Sequence, residues 1–387
     1  MMERGEFLRS WRADTGFSVE KVAQLAQLSP SIVERIESGT HDPSFEELDA
    51  LANVLGLRSD EIYGDQVSES APREGIRLLM KSAVAYRPSE NVRLRMLEAA
   101  AAARDLLELQ SELRPRRGGF ENFLSRPLAS SAEAPFKLGD KLAQEARQKF
   151  AIQGPIASMR DLAQETLGIP IIAAELTVDG PDAFAVYAPG RRAAIILNLQ
   201  GKNVHPLVRR FSIAHEVGHI LFDRPGMGAL GMACQVSPER GLDIESRANA
   251  FAMRFLLPYG PINKLGHSIL QPAVFREVME KWGVHVSALQ LYVEKVLKLS
   301  RDEVQSQLPD VDRSSPNRWS EAEELAEERR GLKRVPMPRR GALAKLVLEL
   351  VQKDKISRAR ARELLGIKGD VSIEELAAEA DVPLDGE

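Results

Sequence analysis

The stretch from Arg209 to Arg224 carries His215-Glu216-Val217-Gly218-His219, the pattern H-E-x-x-H, inside an otherwise apolar run. Its apolar residues recur nearly all round at helical spacing, which predicts a helix buried in a domain interior. Pro206 suits the first turn of that helix and Pro225-Gly226 stops it. On a helix, positions i and i+4 share a face, so His215 and His219 project side by side and can share a zinc ion. Glu216, one residue on, lies too far round to ligate easily. It is placed to take a proton from water activated by the metal. With six histidines in 387 residues, the pattern arises by chance in about one chain per hundred of this composition. A metal centre explains it better than two core histidines do.

A zinc centre needs a third protein ligand and an open position for water. The segment from Asp243 to Pro258 offers a candidate. Ala248, Ala252 and Phe255 make an apolar stripe, Pro258 ends the run, and Glu245 and Asn249 share a face at i, i+4. Phe211–His219, with Glu245-x-x-Ala248-Asn249-x-Phe251-Ala252 and the closing Leu256-Leu257-Pro258, resembles the ImmA/IrrE family of metallo-endopeptidases. The resemblance implies that His215, His219 and Glu245 bind zinc, with manganese as the other candidate ion, and that Glu216 is the general base. On spacing alone Glu245 also reads as a solvated carboxylate in the first turn of a helix.

Composition narrows the setting. Hydrophobic residues make up 44 % and charged residues 28 %, the balance of a soluble globular chain long enough for two or three domains. The single cysteine, Cys234, excludes an internal disulfide framework and a cysteine-rich zinc site. The first residues are charged where a signal peptide is apolar, and no apolar run is long enough to span a bilayer. A cytoplasmic protein that makes no use of a membrane is expected. The net charge of −4 hides a local asymmetry: residues 1–64 carry six Lys/Arg against twelve Asp/Glu, and residues 329–362 carry twelve against two.

Residues 6–63 read as four or five short helices. Ser18 and Ser44 are placed as N-caps, Leu28-Ser29-Pro30 as a turn, and Gly39 as a helix end. Two short helices around a tight turn inside a small bundle follow the helix-turn-helix plan. Ile36-Glu37-Ser38-Gly39, Pro43-Ser44 and Leu48 through Leu57 resemble the XRE-type helix-turn-helix domain. That resemblance puts Pro30, Ser31, Val33, Glu34 and Arg35 at the DNA-reading helix. Two features depart from the family: Val19 stands where a phosphate-contacting glutamine is usual, and Glu34 puts an acid on the reading helix. DNA affinity rests mainly on Lys/Arg neutralising phosphate, so an acidic head also reads as a protein-docking module. A homodimer would gather Arg9, Arg12 and Arg35 on one face.

Further along, residues 74–86 and 90–113 have helical spacing, and Val92, Met96, Ala99 or Ala100, Ala103, Leu106, Leu107 and Leu113 predict a packing or dimerisation seam. Ile169–Leu176, Ala183–Ala188 and Ala193–Leu199 read as strands, the last two as a hairpin. Helices are expected over 272–299, a Pro/Ser/Asp-rich link over Leu308–Trp319, a charged surface helix over 321–330, and a basic helical pair from Ala342 to Gly366. The expected fold is α+β and mainly helical. It has a helix-turn-helix head (1–64), a helical connector (65–136), a zincin-like domain with a small sheet (137–300) and a basic helical region (301–387).

The function that the ImmA/IrrE resemblance implies is a zinc-dependent endopeptidase that cleaves a regulatory protein, an XRE-type transcriptional repressor, in stress-response, mobile-element or toxin–antitoxin control. DNA is a second candidate partner, through the head or the basic tail. The competing reading is a DNA-binding regulator whose metal site is structural or regulatory.

Overall fold

The computed structural model describes residues 2–64, 66–67, 88–113, 134–188, 192–222, 231–233, 241–308, 311, 314, 316–325, 332–367 and 369–383. The helix expected at 74–86, the stop at Pro225-Gly226, the hairpin tip at 189–191 and Cys234 lie outside these residues. The fold is α+β and mainly helical.

The head forms α1 (Arg4–Thr15), α2 (Val19–Ala26), α3 (Pro30–Glu37) and α4 (Phe45–Leu55). Each boundary has a local cause. Ser18 accepts from the Lys21 amide and Ser29 from the Ile32 amide, satisfying N–H groups that the first turn leaves unpaired. Ser44 and Glu47 make a reciprocal capping box on α4. Phe7, Leu8, Trp11, Val22, Val33, Ile36, Leu48 and Leu51 fill the space between the helices. The Trp11 indole N–H donates to the Leu55 carbonyl at 2.9 Å. Met2–Glu3 (β1) pairs antiparallel with Gln66–Val67 (β2) at the edge of the bundle.

The second sheet organises the molecule. β3 (Ile171–Ala174), β4 (Ala183–Ala188), β5 (Arg192–Asn198) and β6 (Gly231–Ala233) lie in the order β3-β5-β4-β6. β4 and β5 form the expected hairpin, with Ala183 opposite Leu197, and β3 runs parallel to β5 with Ile171 opposite Ile195. β6 carried no strand signal in the sequence and pairs antiparallel with β4. Successive strand residues point to opposite faces. Ile172, Ala174, Phe184, Val186, Ala194 and Ile196 enter one core, while Ile171, Ala173, Ala185, Ala193, Ile195 and Leu197 enter another. Both faces are covered, which is why β5 reads as a continuous apolar run and not as an alternation.

Helix α5 (Glu90–Leu113) covers the first face. Its alanines from Ala99 to Ala103 are all buried. The predicted seam is buried except for Leu113, which is 40 % exposed, and it is too narrow, because α5 is enclosed by the sheet, the head and the C-terminal helices of the same chain. Gly56, at φ 64°, ends α4 so close to α5 that a Cβ there would lie 2.8 Å from Leu97. Arg104 and Arg339 bracket Asp105 at 3.0 and 2.8 Å. Burial pushes the Asp105 carboxyl up, and the two guanidinium groups more than offset it, leaving it below its ordinary range.

The opposite face carries α6 (Pro135–Lys149), α7 (Pro206–Phe222), α8 (Gly241–Leu256), α9 (Tyr259–Leu265), α10 (Pro272–Trp282), α11 (Val286–Leu297) and α12 (Arg301–Gln307). Here the structure corrects the reading of Trp319 and Glu323, while residues 326–330 of the expected surface helix lie outside the described residues. Trp319 is buried in α13 (Asn317–Ala322), and Glu323 is 0 % exposed where a solvated charged helix was expected. Its carboxylate accepts from Arg210 Nη1 at 2.5 Å and from the Met159 and Arg160 amides at 2.7 and 3.1 Å. Its carbonyl accepts from Arg209 Nη1 at 2.5 Å, and the Arg210 guanidinium lies over the Trp319 ring. A carboxylate can leave water when charge and N–H donors surround it.

The tail, α14 (Ala342–Gln352), α15 (Arg358–Leu365) and α16 (Ile373–Glu379), packs into the same core as the head. Acids beyond the basic run at 329–362 offset part of its charge. Residues 332–383 hold eleven Lys/Arg and eight Asp/Glu. Acids of α16 face the arginines, with Arg358–Glu374 at 2.5 Å and Arg334–Glu375 at 2.6 Å.

The buried cluster makes a sharp prediction. Glu323→Ala leaves Arg210 charged and unpaired in the interior and should cost about 3–5 kcal/mol. The double change Arg210→Met with Glu323→Leu should cost clearly less. Thermal unfolding of both variants checks this, and equal losses would contradict it.

Candidate metal centre

The first three turns of α7 are built for burial. Pro206 opens the helix, His205 Nδ1 accepts from the Leu207 amide at 3.2 Å, and Leu207, Ile213, Ala214, Val217 and Ile220 are enclosed. The helix that the apolar run predicted is therefore formed and surrounded. His215 and His219 lie one turn apart on it, 8 % and 2 % exposed.

Glu245 comes to them from α8. Close approach of α7 and α8 is set by Gly218, where an added Cβ would stand 2.7 Å from Phe251 Cδ1. Phe251 in turn packs edge-on to Phe222 and stacks on Phe255. The result is a compact donor set. His215 Nε2 and His219 Nε2 are 2.9 Å apart, and Glu245 lies 3.3 Å from the first and 3.5 Å from the second. Donor atoms of all three fall within 4.8 Å of one another.

The chemistry of this set fits a metal ion. Ligand bonds of about 2.0–2.1 Å in a tetrahedron imply donor separations of about 3.3–3.4 Å, and the three observed separations bracket that value. Burial pushes the Glu245 carboxyl up, but the hydrogen bonds and charge of the two imidazoles bring it down to about 2, so it is an anion at neutral pH. Two imidazoles and a carboxylate are the donor types that zinc and neighbouring first-row ions take. Glu216 follows His215 directly, is 1 % exposed and is not one of the three donors.

The head residues are elsewhere. Pro30, Ser31, Glu34 and Arg35 are exposed on α3, in a bundle that packs into the core on the other side of the sheet. Val33 does not join them. At 1 % exposure it is a core residue of the bundle, and its assignment to a DNA-reading surface is corrected. Its spacing of three from Ile36, also buried, already placed it on the inner stripe. Arg12 is likewise withdrawn from any phosphate-binding face, because its guanidinium makes a two-pronged pair with Glu37 at 2.6 and 2.8 Å. Arg9 remains exposed.

Comparison with known families agrees with this layout. Residues 3–62 match a helix-turn-helix domain, and residues 164–292 match the IrrE N-terminal-like domain of a peptidase family. The chain carries an IrrE N-terminal-like peptidase domain behind a helix-turn-helix head. α7 and α8, with all three donors, lie inside the matched peptidase region, whereas the buried Glu323 lies outside it. The HTH-type transcriptional regulator DdrOP3 of Deinococcus deserti is 33 % identical over 78 residues, which are 19 % of this chain. The match covers 60 % of that regulator's length. Among the described residues no helix is long and apolar enough to cross a membrane.

Gly218 gives the test of this geometry. By helix propensity alone Gly218→Ala should stabilise α7 by about 1 kcal/mol. Overpacking against Phe251 should instead cost about 1–3 kcal/mol and displace α8, which carries Glu245. The expected result is lower metal content with helix content preserved by circular dichroism, and recovery when Phe251→Leu is added. Unchanged metal content in the single variant would refute the close-approach argument.

Proposed function

We propose that the chain is a metal-dependent endopeptidase that cleaves a regulatory protein in the cytoplasm, its substrate being a transcriptional repressor with an XRE-type head. The observation that carries this reading is the convergence of His215, His219 and Glu245 beside a buried glutamate, on two helices of a peptidase-family domain. In this reading the three donors hold zinc, with manganese as the alternative ion. When bound, such an ion supplies Lewis acidity, polarising a peptide carbonyl and making water more acidic. The Glu216 carboxylate accepts the proton of the attacking water and returns it to the leaving amine. Burial of Glu216 limits competing solvent around that transfer.

The catalytic unit in this reading spans residues 137–300 together with the strap at 316–325. The helix-turn-helix head recruits the substrate, and its exposed Ser31, Glu34 and Arg35 form the contact face. The competing reading, a DNA-binding regulator with a structural metal, draws support from the same exposed face and from the likeness to a transcriptional regulator.

Two experiments separate the roles. His215→Ala should release most of the metal, because two side chains rarely retain it against water. Glu216→Gln should keep the metal and abolish cleavage, since an amide cannot accept the proton. Elemental analysis beside a cleavage assay on an XRE-type repressor reads both, and equal metal loss in the two variants would refute the assignment.

For the head, point changes are cleaner than deletion, because the head shares its core with α5 and the tail. Ser31→Arg with Arg35→Glu should slow cleavage of an intact repressor and leave cleavage of a short peptide spanning the same bond unchanged. A sequence-specific footprint that survives physiological salt and is lost in this variant would favour the regulator, since non-specific phosphate binding weakens steeply with salt.

A further inference from the structure

We infer that Asn249 is a positioning residue for the metal centre, holding the His215 ring in the tautomer and orientation that present Nε2 to the ion. The inference rests on the metal-binding reading above and deepens it. His215 Nδ1 and Asn249 Oδ1 are 3.1 Å apart. An amide oxygen only accepts, so the bond requires the proton on Nδ1. The lone pair is then on Nε2, the nitrogen that faces His219 and Glu245. The reverse placement of the amide, with its NH2 towards Nδ1, would put a proton on Nε2 among the metal donors.

Asn249 follows Glu245 by four residues on α8, so one helical face supplies both a ligand and the group that orients another ligand. Two features set the size of the effect. Asn249 is exposed, so water competes for the same imidazole N–H. Its amide is also neutral, so it orients the ring without adding negative charge. Removal of a group that orients a metal-bound histidine weakens binding by about 10–100-fold, and solvent access places Asn249 at about tenfold. A carboxylate at the same point should make the imidazole a stronger donor and attract the cation.

The test uses the full-length chain, with zinc affinity measured by competition against a chromogenic chelator and ligand geometry by the visible spectrum of the cobalt-loaded protein. Asn249→Leu should weaken zinc about tenfold and alter the cobalt spectrum. Asn249→Asp should bind at least as tightly as the wild type. The metal-free proteins should share one unfolding midpoint, which separates positioning from a general loss of structure. Asn249→Leu binding zinc within about twofold of the wild type, while His215→Ala loses it, would overturn the role of Asn249 and leave the metal centre standing. A wild-type chain that binds zinc no better than His215→Ala would overturn both.

Discussion

The central sheet has to bury both of its faces, and the rest of the molecule follows from how it does so. Each strand sends alternate residues to opposite sides, and on both sides those that enter the cores are Ile, Ala, Val, Leu or Phe, with Tyr187 on the side of α7. One face is closed by α7, which carries His215 and His219, the other by α5. Neither helix is dispensable, because removing either would expose a continuous apolar surface to water. α5 in turn is enclosed by the head and by the tail. The head and the tail are thereby part of the scaffold that holds the sheet beneath the candidate metal centre.

Positioning of the donors depends on a second constraint, the distance between α7 and α8. Within one helix the two histidines are set by backbone geometry alone. Glu245 is set by packing, through Gly218 and Phe251. α7 is also fixed at its start, where Arg209 and Arg210 meet the Glu323 segment. Interior packing is dense and transmits small displacements. The polar clamp and the glycine contact therefore act on opposite ends of one rigid element, with His215 and His219 between or beside them.

Legibility in the sequence follows the same division. H-E-x-x-H was readable because its information is local: two residues one turn apart on one helix. The caps at Ser18 and Ser44 and the hairpin of β4 and β5 were readable for that reason too. Glu245 is 29 residues downstream of Glu216, yet spacing alone left it indistinguishable from a solvated helix-start carboxylate, and family likeness had to supply the link. Asn249 was visible as its i+4 partner, but nothing local indicated that His215 would reach it. Glu323 failed in the other direction. It sits in a run of acids that reads as solvated surface, and only the tertiary structure brings Arg210 and two backbone amides to it. Val33 was misassigned although its own stripe, shared with Ile36, pointed inward.

The charge asymmetry of the chain has an internal use that bears on the head. Glu61 of the head lies 3.4 Å from Arg104 of α5, and head residue Arg58 pairs with Glu108 at 2.5 Å. The tail's Arg339 reaches Asp105 of α5 in the same way. These pairs are partly or wholly withdrawn from water, where screening by salt is weak. Much of the fixed charge thus holds head, α5 and tail together. Arg12 is also spent internally, on Glu37. The outer side of α1 and α3 keeps Arg9 and Arg35 as exposed cations, with Glu34 beside Arg35. So sparse a positive surface gives little phosphate neutralisation from one copy. Polar Ser31 and the mixed charges of Glu34 and Arg35 are better suited to a protein surface of complementary charge, where register is set by opposite-sign pairs and not by net charge.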